Sequence, residues 1–366
     1  MKEVGPIIPV ERSIVFREPG RFAGWPANYG MWAWGEEILA IYIVGWVGPL
    51  HGMHARDTSR PFVPVQSRSL DGGRTWRHEP FPGRIPGGRT LSGDEHVDRE
   101  LKSRPRIREA DFAVPAEPVD FTDPETIVLC GRTDLERGSV SWFYVSRDRG
   151  RTWSRPHRLP MFGLAGVSAR TDVVPLARHS ALFLLTGTKS DGTEGRVFAA
   201  RTGDGGRNFE RVGYVGPEPA GWSIMPSSLM LADGTIVSAL RCSDPDTGHR
   251  IEMYASNDEG RSWVPRSRPV ADTGRGGNPP ALIRVADGRL VIVYGYRDEP
   301  RGLRAVVSAD SGHSWSTPAV LTADTPSHDM GYPRVVGLGD GRLLAVFYSN
   351  SGPESDRFIE AVRWAP

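Results

Sequence analysis

The sequence predicts an all-β fold, a β-propeller built from four-stranded antiparallel blades. Two observations predict it: a phrase of eight residues returns five times, and runs rich in β-branched and aromatic residues precede the later copies. Successive copies lie 77, 56, 54 and 52 residues apart, and each of the last three intervals accommodates one four-stranded blade. The copies are centred on Asp71, Asp148, Asp204, Asp258 and Asp310.

Each copy reads Ser/Thr-x-Asp-x-Gly-x-x-Trp/Phe, as in residues 146–153. The hydroxyl and the carboxylate can bond the backbone of a tight turn, the glycine allows a positive φ, and the aromatic residue offers an apolar face. We therefore expect each copy to be a hairpin turn at the edge of a blade, with a structural aspartate.

Three further segments share this period and place a Gly-containing turn between two apolar runs, at 229–237, 283–291 and 335–344. We interpret them as the inner hairpins of the last three blades. After residues 345–348 the chain has room for one more strand, Phe358 to Trp364. The N-terminal run Ser13 to Phe16 is its natural partner, because pairing the two would close the ring and remove exposed edges. This arrangement predicts six blades.

The repeated phrase resembles the Asp-box, or bacterial neuraminidase repeat, and the whole chain resembles the sialidase superfamily of six-bladed propellers. The resemblance implies a ligand site at the mouth of the central channel, where the loops that enter the innermost strands meet the loops between second and third strands. In sialidases three arginines hold the carboxylate of the substrate, an aspartate is the acid/base, and a tyrosine paired with a glutamate is the nucleophile.

Part of that pattern carries over to this chain. Arg241, Arg297 and Tyr332 occur in the order of the family, with separations that resemble its spacing. The place of the first family arginine reads Gly-Trp-Pro-Ala at 24–27, and the stretch ahead of Arg241 lacks the glutamate partner of the nucleophile. In the loop expected to hold the acid/base, the chain offers three candidates, His51, His54 and Asp57.

The predicted catalytic residues are therefore Tyr332, His54 and Asp57, and Arg241 and Arg297 are predicted to bind the substrate. Aromatic faces cover the C–H side of a sugar ring, and polar side chains bind its hydroxyl groups. Five further residues in the entering loops are predicted to bind substrate on this basis: Trp25, Asn28, Trp222, Asn278 and Asp329.

Two mechanisms fit such a site. In the first, His54 or Asp57 protonates the leaving oxygen and Tyr332, activated by the arginines, attacks the anomeric carbon, as in a retaining exo-acting glycoside hydrolase on a sialic acid or uronate-type sugar. In the second, a polysaccharide lyase, the arginines neutralise a uronate carboxylate, and His54 or Tyr332 removes the adjacent proton. A non-catalytic propeller that binds glycans or proteins is a third alternative, because fold alone does not determine function.

The 366 residues are expected to form one domain, 1–366, since a propeller uses that length in one ring and no linker is visible. The formal net charge of +1 shows no excess of positive charge of the kind that indicates nucleic-acid binding. Residues 1–6 lack the apolar segment of a secretory signal, and no later stretch is long and apolar enough to span a membrane. The sequence thus predicts a cytoplasmic protein, unless a leader has been removed, with a glycan partner and no cofactor.

A polar insertion of about 77–118 accounts for the first, stretched interval. It could be a lid over the mouth or an arm that binds a partner. Asp94, His96 and Asp98 lie in it, and such a density of charge favours a solvated loop over a metal site. Cys130 and Cys242 are expected to be buried free thiols.

Overall fold

A computed structural model of the chain describes residues 5–366, apart from the side chain of His51. Over these residues it contains 26 β-strands and six short 3-10 helices. The first thirteen strands are β1 (Glu11–Phe16), β2 (Arg21–Gly24), β3 (Met31–Trp34), β4 (Glu37–His51), β5 (His54–Arg56), β6 (Val63–Ser69), β7 (Arg77–Pro80), β8 (Ile127–Arg132), β9 (Ser141–Ser146), β10 (His157–Arg158), β11 (Val167–Ser168), β12 (Val173–Ala177) and β13 (Ser180–Thr188). The others are β14 (Glu194–Thr202), β15 (Glu210–Tyr214), β16 (Trp222–Met230), β17 (Ile236–Asp244), β18 (Gly248–Ser256), β19 (Val264–Val270), β20 (Ala281–Arg284), β21 (Leu290–Tyr296), β22 (Gly302–Ser308), β23 (Ala319–Val320), β24 (Gly331–Gly337), β25 (Leu343–Asn350) and β26 (Arg357–Trp364).

These strands form a propeller-like, all-β arrangement of five sheets. Four sheets are separate blades, with three strands (β8–β10), five strands (β11–β15), and four strands each (β16–β19 and β20–β23). The remaining ten strands form one continuous sheet, in the order β24-β25-β26-β2-β4-β6-β7, with β1 on β26 and with β3 and β5 on β4. The prediction of six separate four-stranded blades is therefore wrong.

The ten-stranded sheet has a specific cause. Strand β2 lies parallel to β26 and pairs with it at Phe22 and Arg357, so hydrogen bonding continues from the last strands of the chain into the first. Strand β1 pairs with β26 in the antiparallel sense, with Ser13 opposite Ala361. The two ends of the chain are thus joined through β26, which has β1, β2 and β25 as partners.

The predicted hairpins of the last three sheets are present. Strands β16 and β17, β20 and β21, and β24 and β25 pair in the antiparallel sense across the turns that the sequence indicates. Apolar side chains of the inner strands fill the space between neighbouring sheets; in β4, for example, every residue from Ile38 to Val44 is buried. Burial of this apolar area is the main stabilising contribution, at roughly 25 cal/mol per Å².

The five repeated phrases form near-identical turns, of which the one at Asp148 is representative. Ser146 Oγ donates to Asp148 Oδ1 over 2.7 Å and accepts from the Gly150 amide over 2.8 Å. The carboxylate also accepts from the Thr152 amide (2.9 Å) and the Thr152 hydroxyl (2.6 Å). Gly150 has φ 79°, a conformation that glycine adopts without strain. The repeated aspartates therefore stabilise the turns by hydrogen bonding, as the sequence predicts.

The insertion at 77–118 is folded against the rest of the chain. After β7 it contains five of the 3-10 helices, Pro86–Gly88, Asp94–His96, Arg99–Leu101, Arg104–Arg106 and Glu109–Asp111. Tyr29 Oη donates to the Leu91 carbonyl over 2.7 Å, and the Ser92 amide donates to the Arg132 carbonyl over 3.0 Å. The expectation of a solvated loop is wrong for this part, because Asp94 and His96 are buried.

Asp94 has a structural role in the insertion. Its two carboxylate oxygens accept from the amides of Ser103 (2.7 Å) and Arg104 (2.8 Å). Among residues 5–366 no group of three or more His, Cys, Asp and Glu side chains is placed to hold a metal ion. The two cysteines, Cys130 and Cys242, are buried free thiols, as predicted. Within the same described range, no helix has the length and apolar character needed to cross a membrane.

Candidate functional site

A chain of hydrogen bonds connects most of the predicted catalytic residues, and it begins at His54. His54 Nδ1 lies 2.7 Å from Asp329 Oδ1. The Tyr348 hydroxyl donates to the same oxygen over 2.9 Å, and Arg297 Nη2 donates to the Tyr348 hydroxyl over 3.1 Å. Residues from β5, from β25, from the position directly after β21 and from the loop before β24 thus lie close together.

The same network continues from Arg297 to Tyr332. Arg297 Nη1 and Arg241 Nη2 both donate to the Gly277 carbonyl, over 3.0 and 3.3 Å. Arg241 Nη1 then donates to the Tyr332 hydroxyl over 3.0 Å. The structure therefore brings His54, Arg241, Arg297 and Tyr332 into one connected cluster, the mouth cluster.

Asn278 holds Tyr332 in an unusual backbone conformation. Tyr332 has φ 55°, a left-handed value that costs a non-glycine residue about 1 kcal/mol or more. Its amide donates to Asn278 Oδ1 over 2.8 Å, and Asn278 Nδ2 donates to the Met330 carbonyl over 3.3 Å. Asn278 is fully buried. The sequence predicts that Asn278 contacts the substrate. In the structure it is bonded to the backbone and holds Tyr332 in position.

The charges around Tyr332 favour its phenolate form. Burial of the ring by itself raises the pKa of the hydroxyl. The positive charges of Arg241, Arg297 and Arg170 and the hydrogen bond from Arg241 outweigh burial, so the pKa of Tyr332 lies below its ordinary value of 10.0. A lowered pKa is what a tyrosine needs in order to act as nucleophile or base near neutral pH.

His54 is held in one orientation with its charge suppressed. Burial lowers the pKa of the imidazole below its ordinary value of 6.5, and the neighbouring Asp329 only partly offsets that effect. Because the Asp329 carboxylate accepts a hydrogen bond from Nδ1, the neutral ring carries its proton there and keeps Nε2 as a proton acceptor. The His54 side chain retains 14% exposure, so it is not completely enclosed.

Asp329 is the centre that organises this side of the cluster. Besides His54 and Tyr348, it accepts from the Ala55 amide and from Arg357 Nε, each over 2.9 Å. Its side chain is completely buried. The sequence predicts Asp329 to bind substrate; in the structure its carboxylate is surrounded by protein donors and holds His54 in one orientation.

Asp57, the alternative acid/base candidate, lies outside the network. Its Oδ1 accepts from the amide and the hydroxyl of Ser59, over 3.0 and 2.7 Å, and closes a local turn. The side chain of His51 lies outside the described part of the structure. Of the candidates with a described side chain, His54 is the one that joins the mouth cluster.

Two of the predicted sugar contacts are enclosed. Trp25 is 1% exposed, and the ring of His96, from the insertion, stacks on it with 3.7 Å between ring centroids and 4° between planes. Asn28 is buried, and its Oδ1 accepts from Arg170 Nε over 3.2 Å. Neither offers an open surface for a sugar in this structure.

Trp222 remains a candidate sugar platform. It is only half-buried, and it lies beside the site, with the Arg241 guanidinium carbon 4.8 Å from its ring centroid. His249 stacks on it at 5.7 Å. Trp222, Met225 and Tyr332 belong to one apolar cluster with Ala27, which makes the wall of the site partly apolar.

Several residues of the site are not predicted from the sequence. Arg56 follows His54 by two residues on β5, so the alternation of a strand could have placed both side chains on one face. Tyr348, Glu95 and His96 carry no such local signal, because the first is one of many apolar-strand tyrosines and the other two lie in the insertion.

Comparison with known proteins identifies the family. The family model of the BNR repeat-like domain matches residues 114–345. A sialidase from Micromonospora viridifaciens is 26% identical over 329 residues, which cover 84% of this chain and 40% of the sialidase. The chain thus spans less than half the length of that relative.

Several solved structures share the fold. A protein of unknown function from Dyadobacter fermentans superposes with a TM-score of 0.72 at 18% identity, covering 97% of this chain and 98% of its own. Trypanosoma rangeli sialidase in complex with the inhibitor DANA gives 0.65 at 12% identity, covering 98% and 60%. The NanB sialidase from Streptococcus pneumoniae gives 0.62 at 12% identity, covering 96% and 70%. The chain belongs to the BNR repeat-like domain family and is a divergent member of the sialidase superfamily.

Proposed function

We propose that this protein is an exo-acting glycoside hydrolase that cleaves an acidic sugar, a sialic acid or a uronate-type sugar, from a glycan at the mouth cluster. The observation that carries the proposal is the environment of Tyr332, whose hydroxyl is bonded to Arg241 and whose pKa is lowered by three arginines. The sialidase from Micromonospora viridifaciens and the sialidases that share the fold support a hydrolytic activity.

In this mechanism the Tyr332 phenolate attacks the anomeric carbon, and the bond from that carbon to the leaving oxygen breaks. Protonated His54 gives its proton to the leaving oxygen. Neutral His54 then takes a proton from water, the water oxygen attacks the anomeric carbon, and Tyr332 leaves as the phenolate. The two displacements retain the configuration of the sugar. The arginines that stabilise the phenolate also attract the substrate carboxylate.

A specific observation favours a second candidate, β-elimination on a uronate. Burial lowers the pKa of His54, so the ring is mainly neutral at pH 7 and its free Nε2 is a base rather than an acid. Neutral His54 would take the proton from the carbon beside the carboxylate, and a double bond would form to the next carbon as its bond to the glycosidic oxygen breaks. The Tyr332 hydroxyl would protonate the departing oxygen. This route uses His54 in its majority protonation state.

The test is incubation of the purified protein with a panel of sialylated and uronate-containing glycans, with released sugar followed by mass and unsaturated product by ultraviolet absorbance. Release of a sugar of hydrolysed mass supports the hydrolase. An unsaturated product overturns the hydrolase in favour of elimination. Absence of any product across the panel overturns both and favours a glycan- or protein-binding propeller.

Tyr332→Phe decides whether the site is the one proposed. We expect a loss of kcat of at least about 10²-fold, because the attacking or protonating group is removed. Tyr214→Phe is the matched control: its hydroxyl bonds Arg211 on β15, away from the mouth cluster, so kcat should not change. Equal activity of Tyr332→Phe and wild type would overturn the assignment.

A further inference from the structure

A cavity of about 330 Å³ lies where strands of all five sheets converge, and it is called here the central cavity. It is bordered by β3 and β24 of the ten-stranded sheet and by β8, β12, β16 and β20. Pro175 lines it and is exposed, so the cavity is open to solvent. His54, Arg241, Arg297 and Tyr332 do not line it. The central cavity is therefore separate from the mouth cluster.

The central cavity is widened by a gap beside β8. The sheet β8–β10 has three strands, fewer than any other sheet of the described chain, and β8 is one of its edges. Near the end of β8, the Cys130 amide donates to Thr171 Oγ1 over 2.9 Å, so this part of the edge is covered. At its start, Ile127 and Val128 line the cavity. The cavity thus takes up space that a fourth strand of this sheet would fill.

Most of the wall of the central cavity is apolar. Six of the apolar side chains that line it are Met31, Trp32, Ile127, Val128, Val173 and Leu282. The volume lies in the range in which proteins bind small organic molecules, roughly 300–1,000 Å³. It also exceeds by about tenfold the volume of one water molecule, roughly 30 Å³. Size and lining therefore suit the apolar body of an organic ligand.

One end of the central cavity carries a fixed positive charge. Arg334 Nη2 donates to the carbonyls of Ala27 (2.9 Å), Tyr29 (3.1 Å) and Thr171 (2.6 Å), which holds the guanidinium in place. Nη1 makes no hydrogen bond within residues 5–366 and is not among the fully enclosed polar atoms. Arg334 is half-buried and is the one basic residue of the described chain that lines the cavity. A fixed guanidinium with a free donor suits an anionic acceptor, above all a carboxylate.

Asp172 lies at the same end and can give up its charge. Its two oxygens accept from the amide (2.9 Å) and the hydroxyl (2.7 Å) of Ser228. Burial raises the pKa of this carboxyl to about 6, so it takes up a proton readily when a second anion comes close. The other titratable groups facing it are Arg334 of β24, which keeps its charge, and the Cys130 thiol of β8. Burial and Asp172 raise the pKa of that thiol, so it stays neutral.

We propose that the central cavity binds a small carboxylate with an apolar body, such as an aromatic acid. The carboxylate accepts from Arg334 Nη1, the apolar body lies against Trp32 and Val128, and Asp172 takes up a proton. An ammonium ligand would be repelled by Arg334, and a neutral ligand would bring no charge to it. The inference does not depend on the proposed function, because none of these residues belongs to the mouth cluster.

Benzoate is the probe, with benzamide and benzylamine as neutral and cationic controls of the same size. By calorimetry at pH 5.5 we expect benzoate to bind at least about tenfold more tightly than either control, as a hydrogen bond to a charged group would provide. In a crystal soaked with 4-bromobenzoate, the anomalous signal of bromine should lie beside Trp32 and Val128. Equal affinity for the three probes overturns the inference, and so does a bromine position at the mouth cluster alone.

Asp172→Asn distinguishes this cavity from the arginines of the mouth cluster, which can also attract a carboxylate. Wild type should bind benzoate at least about tenfold more tightly at pH 5.5 than at pH 7.5, because the proton taken up by Asp172 is scarcer at the higher pH. The variant needs no proton, so its affinity should be the same at both pH values. Asp287→Asn, exposed in the turn between β20 and β21, is the control and should behave as wild type. An unchanged pH dependence in Asp172→Asn overturns the inference.

Val173→Trp tests the location by filling part of the cavity from β12. It should weaken benzoate binding at least about tenfold, because the larger side chain takes up the space of the ligand. Val264→Trp, at a position 59% exposed on β19, is the matched control and should bind as wild type. Equal affinity of folded Val173→Trp and wild type overturns the inference; if this variant does not fold, the bromine position and Asp172→Asn decide. Product formation in the activity panel is independent of all these outcomes.

Discussion

His54 Nδ1 lies 2.7 Å from Asp329 Oδ1, although the two residues are 275 positions apart in the chain. The contact joins β5 in the first part of the chain to the loop before β24 near its end. It orients the imidazole and leaves Nε2 free to exchange a proton, as a general acid or base requires. Arg357 from β26 bonds the same carboxylate, so the ends of the chain meet at the site.

The pH dependence of activity should report the titration of His54. Burial lowers the pKa of its imidazole, so the transition should have its midpoint below 6.5. If His54 acts as the acid of a hydrolase, kcat/KM falls as the pH rises through this pKa. If it acts as the base of an elimination, kcat/KM falls as the pH drops through it. A pH–rate profile from pH 4 to 8 measures this, and a flat profile would contradict a role for His54.

Asp329→Asn should destabilise the protein by about 3 kcal/mol at pH 7, because it leaves the fully buried Arg357 without its countercharge. Urea denaturation measures this free energy of unfolding. Asp57→Asn, a partly exposed aspartate in a local turn, is the control and should cost less than about 1 kcal/mol.

The same variant has a predicted pH signature. Burial opposes ionisation of Asp329, but His54, Arg357 and the Ala55 amide together hold the pKa of its carboxyl far below 3.8. Such a group stabilises the fold above its unfolded pKa of about 3.9, and the contribution is lost as the pH falls toward the folded value. Wild type should therefore lose more stability between pH 5 and pH 3 than Asp329→Asn. Equal losses would be evidence against the ionised, bonded carboxylate.

The carboxyl of Asp172 should affect the pH dependence of stability in the opposite direction to that of Asp329. Asp172 lines a cavity of about 330 Å³ together with Ser228 and Arg334. Burial raises the pKa of its carboxyl to about 6, against the hydrogen bonds from Ser228 and the charge of Arg334. The folded state thus binds a proton more tightly than the unfolded state, so this group's contribution to stability falls as the pH rises from about 4 to 6.

The size of that contribution is about 3 kcal/mol, because the pKa of the carboxyl rises from 3.8 to about 6 on folding. The amide side chain introduced by Asp172→Asn keeps an acceptor for the Ser228 backbone amide and cannot ionise. For each protein we take the free energy of unfolding at pH 4 as the reference. On this scale we expect the variant to be about 3 kcal/mol more stable than wild type at pH 7. Chemical denaturation at the two pH values gives the comparison. A gain of zero would show that Asp172 titrates alike in the folded and unfolded states.

Asp148→Ala should weaken one repeated turn without affecting the chemistry. It removes the acceptor for the amide and hydroxyl of Thr152 and for Ser146 Oγ. Each of these bonds contributes about 1 kcal/mol, so we expect a loss of about 1–3 kcal/mol in unfolding free energy and an unchanged kcat. Glu117→Ala, exposed in the insertion, is the control for stability. A large fall in kcat for the folded variant would contradict a purely structural role.

Much of the local architecture is predictable from the sequence. The turn around Asp148 depends on atoms within a few residues of each other, and so do the hairpins β16–β17, β20–β21 and β24–β25. The ten-stranded sheet is not predictable in this way. It depends on the pairing of Phe22 with Arg357, two residues that no local pattern connects.

Some residues of the candidate site are likewise predictable from the sequence, and others are not. The order and spacing of Arg241, Arg297 and Tyr332 are visible in the sequence, and the structure joins all three in one network. The roles of Asp329 and Asn278 are not visible, because they depend on which side chains surround a carboxylate or a backbone amide after folding. Nor does the composition of the insertion show that His96 stacks on Trp25.

The turns, the hairpins and the types of side chain in the loops follow from short-range bonding and apolar periodicity, so they can be predicted from the sequence. Which of those side chains become buried or paired depends on the fold, because desolvation and electrostatic coupling act between residues that are distant in the chain. His54 and Asp329 are an example, since only the folded chain brings them within hydrogen-bonding distance.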